Sequence, residues 1–336
     1  MLMIYKKIIL LITLLVPMLS FGNLGTEEIN FLSPSSDREL TAEIYYPTTI
    51  KTETKKIQHG IWLRDAYEPN SEIISKHKRY PLVIFSHGFQ GDRFGNSWLA
   101  ERLTKSGYIV AMLEHKYNTS FEHNDLFVYT SMWQRPIDLS EFLTHLLNHH
   151  HWGHLIDSEQ IVASGFSLGG LSALWLSGIE ADEDAFKAEM NMRYARWADW
   201  PKKEKLNAES VKWEKATRSY QDDRIKAIIA ISPDLGQAFT ANGLQKSKTP
   251  TLILVGDKDS ITPLKSNAQH YANGIKTSEL TILKNTEHFS FLNECSPLGE
   301  KIVPYLCHDS FERKRIQDET MLSINRFLSI HLQKKN

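Results

Sequence analysis

Apolar residues along the chain gather in short runs separated by longer amphipathic stretches. The runs are Leu82 to Phe85, Tyr108 to Leu113, Ile161 to Ala163, Ile225 to Ile231, Thr251 to Val255 and Leu280 to Leu283. Brief runs rich in Ile, Val and Leu read as buried strands, and helical segments between them imply parallel pairing through crossover helices. Ser97 to Thr104 places Trp98, Leu99 and Leu103 on one helical side, and Gly107 closes it. Pro136 suits a first helical turn, after which Leu139, Phe142, Leu143, Leu146 and Leu147 form an apolar face. The pattern predicts an α/β fold with a mostly parallel central sheet and helices on both faces. Glu39 to Tyr46 predicts an antiparallel edge strand ended by Pro47, and the polar stretch Thr48 to Lys78 a long loop or hairpin extension.

The rhythm breaks between Ile179 and Asp223, a long interval rich in Lys, Glu and Ala that holds Met190, Met192, Tyr194, Trp197, Trp200 and Trp213. It predicts a helical insertion at about residues 180–223. Two roles fit: a cap whose aromatics line an acyl pocket, or a surface helix that the same aromatics anchor to the body.

At 336 residues, 41% hydrophobic and 24% charged, the chain has the composition of a globular protein with one large core. The 39 Lys and Arg nearly balance the 40 Asp and Glu, so no overall field points to a nucleic-acid or anionic-membrane partner. The first residues change the picture more. Lys6 and Lys7 precede the apolar run Ile8 to Val16, followed by Pro17 and the small residues Ser20 and Gly22, the layout of a secretory signal peptide. The expectation is a signal peptide at 1–22, with no cysteine for lipid attachment, and a single domain at 23–336 that is periplasmic or secreted without a stable membrane span. In an oxidising compartment, the two cysteines of the chain, Cys295 and Cys307, are expected to pair.

Candidate chemistry centres on Ile161 to Gly170, IVASGFSLGG, where a strand-like run meets Gly165, Ser167 and Gly169 in a GxSxG pattern. A serine at the apex of a tight strand-to-helix turn sits in strained backbone and needs tiny neighbours two positions either side. Its hydroxyl needs a base, and the base a carboxylate to orient it. TLILVGDKDSITP places Asp257 and Asp259 beyond one strand, and LTILKNTEHFSF places His288 beyond the next. Loops at the carboxyl ends of neighbouring parallel strands converge, so Ser167, an aspartate and His288 can meet in the chain order serine, acid, histidine. SHGFQG, after Leu82 to Phe85, supplies a glycine-rich turn, and the amides of Phe89 and Leu168 are the natural oxyanion donors.

Other histidines are read more plainly. His145, His149, His150, His151 and His154 cluster at a helix end, where dipole and solvation suffice to explain them, and no metal is expected. His115 in LEHK either lines the pocket or packs behind it, and His87 shapes the oxyanion turn.

Together SHGFQGDR, EHK, GFSLGG, GDKDSITP and EHFSF resemble the predicted dienelactone-hydrolase group and the platelet-activating-factor acetylhydrolases. GDKDSITP is also similar to the acid loop of cutinase-type polyester hydrolases. The resemblance runs from about Glu39 to His288, with the cysteines of NECSPLGEKIVPYLCHD beyond it also similar to that group. It implies an α/β-hydrolase fold with Ser167, Asp259 and His288 as the triad, Phe89 and Leu168 as oxyanion donors, and no cofactor. Acetylhydrolases place the acid after the preceding strand, where this chain has Asp234 in AISPDLG, so Asp234 is the alternative to Asp259 and Asp257 the third choice. True dienelactone hydrolases have a cysteine nucleophile, so their cyclic substrate is not carried over. The expected activity is cleavage of a small-molecule or lipid carboxylic ester through an acyl-enzyme, the ester being uncharged with a short or medium acyl chain. An amidase or peptidase on the same triad and a non-catalytic binding protein are the alternatives.

Overall fold

The computed structural model describes residues 23–51, 55–124, 131–196 and 211–332. Residues 1–22, where the signal peptide is expected, lie outside them. In chain order the main elements are β1 (Leu24–Ser33), β2 (Arg38–Pro47), β3 (Lys56–His59), β4 (Trp62–Asp65), β5 (Glu68–Pro69), β6 (Tyr80–Ser86), α1 (Ser97–Lys105), β7 (Ile109–Leu113), α2 (Gln134–Asn148), β8 (Ile156–Phe166), α3 (Leu168–Trp175), α4 (Glu183–Arg196), β9 (Ala227–Ile231), β10 (Thr251–Gly256), α5 (Ala268–Gly274), β11 (Ser278–Leu283) and α6 (Arg313–His331).

Among the described residues the central sheet has nine strands in the order β11-β10-β9-β8-β6-β7-β2-β1-β5. From β7 to β11 every pairing is parallel, as the buried runs predict. The run read as Ile161 to Ala163 is the middle of the longer β8. Side chains alternate between two cores, one per face. Leu82, Ile84, Ile161, Ala163, Ile228, Ala230, Ile253 and Val255 face the first, covered by Leu139, Phe142, Leu143 and Leu146 of α2 and by Leu171, Leu174 and Trp175 of α3. Val83, Phe85, Val162, Ile229, Ile231, Leu252 and Leu254 face the second, covered by Trp98, Leu99 and Leu103 of α1 and by Ile316, Ile324, Phe327 and Leu328 of α6. The protein has an α/β-hydrolase fold.

One expectation is revised. β2 is antiparallel, but it lies inside the sheet between β7 and β1 and not at its edge. The reason is β1, whose alternating buried Ile29 and Phe31 let it pair with β2 along its whole length, Leu24 opposite Pro47 and Ser33 opposite Arg38. The polar stretch after β2 contains the β3–β4 hairpin, so the hairpin form of that expectation holds. Helix α6 has no counterpart in the sequence reading, although Ile316, Ile324, Phe327 and Leu328 form a buried face at helical spacing.

The insertion is helical in α4, which packs on the turn Gly236–Ala238 beyond β9. Within it Trp213 meets Phe186 edge-on at 5.6 Å, and Phe186 and Met190 are buried in the first core, with Trp213 packed against it. Trp197 and Trp200, candidates for an acyl pocket, lie outside the described residues.

Cys295 and Cys307 form a disulfide. Around it the Cys295 amide donates to Ser310 Oγ at 2.7 Å, and buried Arg313 donates to the carbonyls of Asn293 and Leu306. The bridge closes a loop with a sequence separation of 12, for which chain entropy accounts for about 3 kcal/mol. Reduction is expected to lower the urea denaturation midpoint accordingly; an unchanged midpoint after verified reduction would contradict this.

Candidate active site

Ser167 stands between the end of β8 and the start of α3, with φ 55° and ψ −119°. Positive φ is costly for a residue with a Cβ and persists only where the surroundings dictate it. Here the Ser167 amide donates to Ile231 O at 2.8 Å, and its carbonyl accepts from Leu171 N at 3.1 Å and Asp234 N at 3.3 Å. The GxSxG spacing follows from contacts on either side. A Cβ on Gly169 would overlap the Ser86 carbonyl, and one on Gly165 would overlap the Gly169 carbonyl. Only hydrogen fits at both places.

The loops beyond the carboxyl ends of β10 and β11 carry the candidate acid Asp259 and the candidate base His288. These loops are tied by Asp257 N donating to Leu283 O at 2.9 Å and Lys258 N to Thr286 O at 3.0 Å. His288 Nδ1 is 2.8 Å from Asp259 Oδ2, and both side chains are buried. The opposite carboxylate oxygen accepts from Ile261 N at 3.0 Å and Thr262 N at 2.8 Å, while Thr262 Oγ1 lies 2.9 Å from Oδ2. Burial works to raise the Asp259 pKa, but the hydrogen bond and charge of His288, with the Thr262 donors, prevail and hold it below the ordinary value. With Nδ1–H donated to Asp259, Nε2 is the imidazole nitrogen left to exchange a proton. The Phe166 ring lies 4.7 Å from that of His288, so the residue before Ser167 packs directly on the imidazole.

The other two aspartates are engaged elsewhere. Asp234 Oδ1 accepts from Leu235 N at 2.8 Å, and its backbone holds Ser167 and Tyr271. Asp257 faces Thr286 N at 3.4 Å and Lys284 at 3.7 Å. Thr262 was not singled out from sequence; the signal was an Asp-x-x-Thr spacing in GDKDSITP, which favours a side chain closing on the amide three residues on.

On the other side of Ser167 lies the turn that follows β6. A Cβ on Gly88 would come 3.4 Å from the Cβ of Ser167, which puts the Gly88–Phe89 peptide beside the serine. Leu168 opens α3, so its amide is among those without a carbonyl one turn earlier. His87 and His115 are buried behind this turn, and His115 is bonded to Ser86 and Asp138 rather than lining an open pocket. Of the histidine cluster at the end of α2, His145 stacks on Phe31 at 5.3 Å and His149 lies 5.6 Å from it. Among the described residues no group of three or more His, Cys, Asp or Glu is arranged to hold a metal ion.

The fold and this arrangement define a serine hydrolase of the α/β class. The sequence profile of the prolyl oligopeptidase family matches residues 94–293, more than half of the chain, and the chain belongs to that family. The profile of platelet-activating factor acetylhydrolase, isoform II, matches residues 63–124, which contain the turn beside Ser167. Both matches are in keeping with the expected α/β-hydrolase resembling the acetylhydrolase and dienelactone-hydrolase group. Among solved structures, a ferulic acid esterase from Streptomyces cinnamoneus is similar in fold, at 18% identity and a TM-score of 0.52 over 81% of this chain and 76% of that one. No curated protein matches the sequence.

Two outcomes follow from this geometry. Gly169→Ala forces the Ser86 strand end and α3 apart and is expected to destabilise the protein by about 3 kcal/mol in urea titrations; a variant as stable as wild type would show that the contact can relax. The Asp259 pKa is lower in the folded chain, so its charge adds stability above the unfolded value of about 3.9, lost as pH falls through the folded value. The stability difference between wild type and Asp259→Asn is therefore expected to shift against wild type as pH drops from 6 to 3 at roughly constant salt.

Proposed function

We propose that this protein is a secreted or periplasmic serine esterase that cleaves carboxylic esters through an acyl-enzyme. The observation that carries the reading is the buried Asp259–His288 pair at 2.8 Å, whose imidazole packs on Phe166, the residue before the strained Ser167. Ser167 Oγ attacks the ester carbonyl while His288 Nε2 accepts its proton. Asp259 keeps the imidazole in the Nδ1–H tautomer and balances its positive charge. The amides of Phe89 and Leu168 stabilise the oxyanion, and the alcohol leaves with the proton from His288. Water then repeats the sequence and releases the acid.

The setting of the site supports secretion indirectly. A disulfide suits an oxidising compartment. On this reading residues 23–336 act as one hydrolase domain on a small-molecule or lipid ester. The prolyl oligopeptidase family match favours a second reading, hydrolysis of an amide or peptide by the same residues.

A fluorophosphonate probe is expected to label wild type and not Ser167→Ala; equal labelling of both would refute the nucleophile. Asp259→Asn is expected to lower kcat by about 10⁴-fold and Asp234→Asn far less, the reverse order moving the acid to Asp234. A series of p-nitrophenyl esters beside matched anilides separates the readings, since faster turnover of the anilides would replace the esterase with the amidase.

A further inference from the structure

The polar residues buried behind the turn after β6 do more than fill space. Ser86 Oγ lies 2.9 Å from His115 Nε2, His115 Nδ1 lies 2.9 Å from Asp138 Oδ2, and Asp138 Oδ1 receives Arg38 at 2.5 Å. The order serine, histidine, aspartate imitates a hydrolytic triad. Exposures of 0% for Ser86, 1% for His115 and 0% for Asp138 deny it any substrate. Its place in the fold suggests another use, because it fastens the end of β6 to the end of β7 and to α2 at the point where the chain turns toward Ser167.

His87 is the next residue, and its two closer contacts select one tautomer, with Arg135 Nη2 a longer 3.3 Å from Nδ1. Its Nδ1 lies 2.7 Å from the Gly88 carbonyl, which can only accept, so Nδ1 carries the proton. Its Nε2 receives the His115 amide at 3.1 Å, and an N–H can only donate, so Nε2 is bare. Burial first, and the nearby Arg135 guanidinium second, push the His87 pKa well below its ordinary value, in keeping with a neutral ring. Arg135, itself buried, donates to the His87 carbonyl.

The Gly88 carbonyl is thus held from one side by the His87 ring and by Gly91 N at 3.1 Å. A trans peptide is planar, with its C=O and N–H pointing in opposite directions. Fixing the Gly88 carbonyl therefore fixes the direction of the Phe89 N–H.

We propose that His87, locked as the neutral Nδ1–H tautomer by the His115 amide and braced by Arg135, is a positioning residue that aims the Phe89 amide at the oxyanion. The inference rests on the esterase reading and adds to it the device that orients one donor before substrate arrives. Preorganised donors stabilise developing charge without reorganisation during reaction, and small misplacements are costly in rate.

The test uses p-nitrophenyl butyrate turnover by the full-length protein. His87→Gln offers an amide near the position of Nε2 and no donor at Nδ1; kcat is expected to fall about 100-fold, with KM changed by no more than about threefold. His87→Asn places its amide near Nδ1 and is expected to recover most of that loss. A merely structural role would lower the melting temperature of both variants without separating their kcat values. Wild-type kcat in His87→Gln, or equal losses in the two folded variants, overturns the proposal. If His87→Gln does not fold, Arg135→Met removes the donor to the His87 carbonyl; a kcat loss of about tenfold supports the proposal and wild-type kcat overturns it. A wild-type protein that neither turns over the ester nor labels with fluorophosphonate overturns the esterase reading, and this proposal with it.

Discussion

Backbone meets backbone where the first turn of α3 lies against the carbonyl of Ser86, with no side chain between them at Gly169. That approach joins three parts of the molecule: the end of β6, the end of β8 and the start of α3. It forces the chain to turn abruptly at Ser167, which takes up a left-handed conformation held by Ile231, Leu171 and Asp234. The serine is lifted to the rim of the sheet for the same reason that its neighbours must be glycine. Strain at Ser167 is sustained by packing of the two cores beneath it.

Parallel pairing accounts for the rest of the arrangement. With β8, β9, β10 and β11 adjacent and pointing the same way, the loops after them share one edge of the sheet. Asp259 and His288 come from the third and fourth of these, Asp234 from the second, and all three lie within reach of the same few loops. What separates the acids is hydrogen bonding within each loop. Thr262 turns the Asp259 carboxylate by binding one oxygen through its amide and the other through its hydroxyl, leaving that second oxygen to meet His288. Asp234 spends its carboxylate on the amide next to it and its backbone on supporting the serine.

Much of this was legible along the chain because burial and backbone strain are local demands. Every parallel strand from β6 to β11 announced itself as an apolar run, α1 and α2 as one-sided helices, and the turn at Ser167 as small residues at set spacing. The pairing of Cys295 with Cys307 followed from their number and the expected compartment. β1 and α6 were harder to read, since their apolar positions alternate with many charged residues and acquire meaning only against a neighbour. The same holds for the buried polar set of Arg38, His115, Arg135 and Asp138, which come from β2, the end of β7 and α2 and look like ordinary surface residues until those elements pack together.

By itself, then, the sequence determined the class of fold, the nucleophile candidate and the order of the loops that bear its partners, because strand periodicity and a turn too tight for side chains are written into neighbouring residues. Tertiary structure decided which aspartate meets His288, that β2 lies inside the sheet and which nitrogen of His87 carries its proton. Each of those depends on the direction of donors and acceptors brought together from distant parts of the chain, and direction exists only after the sheet has formed.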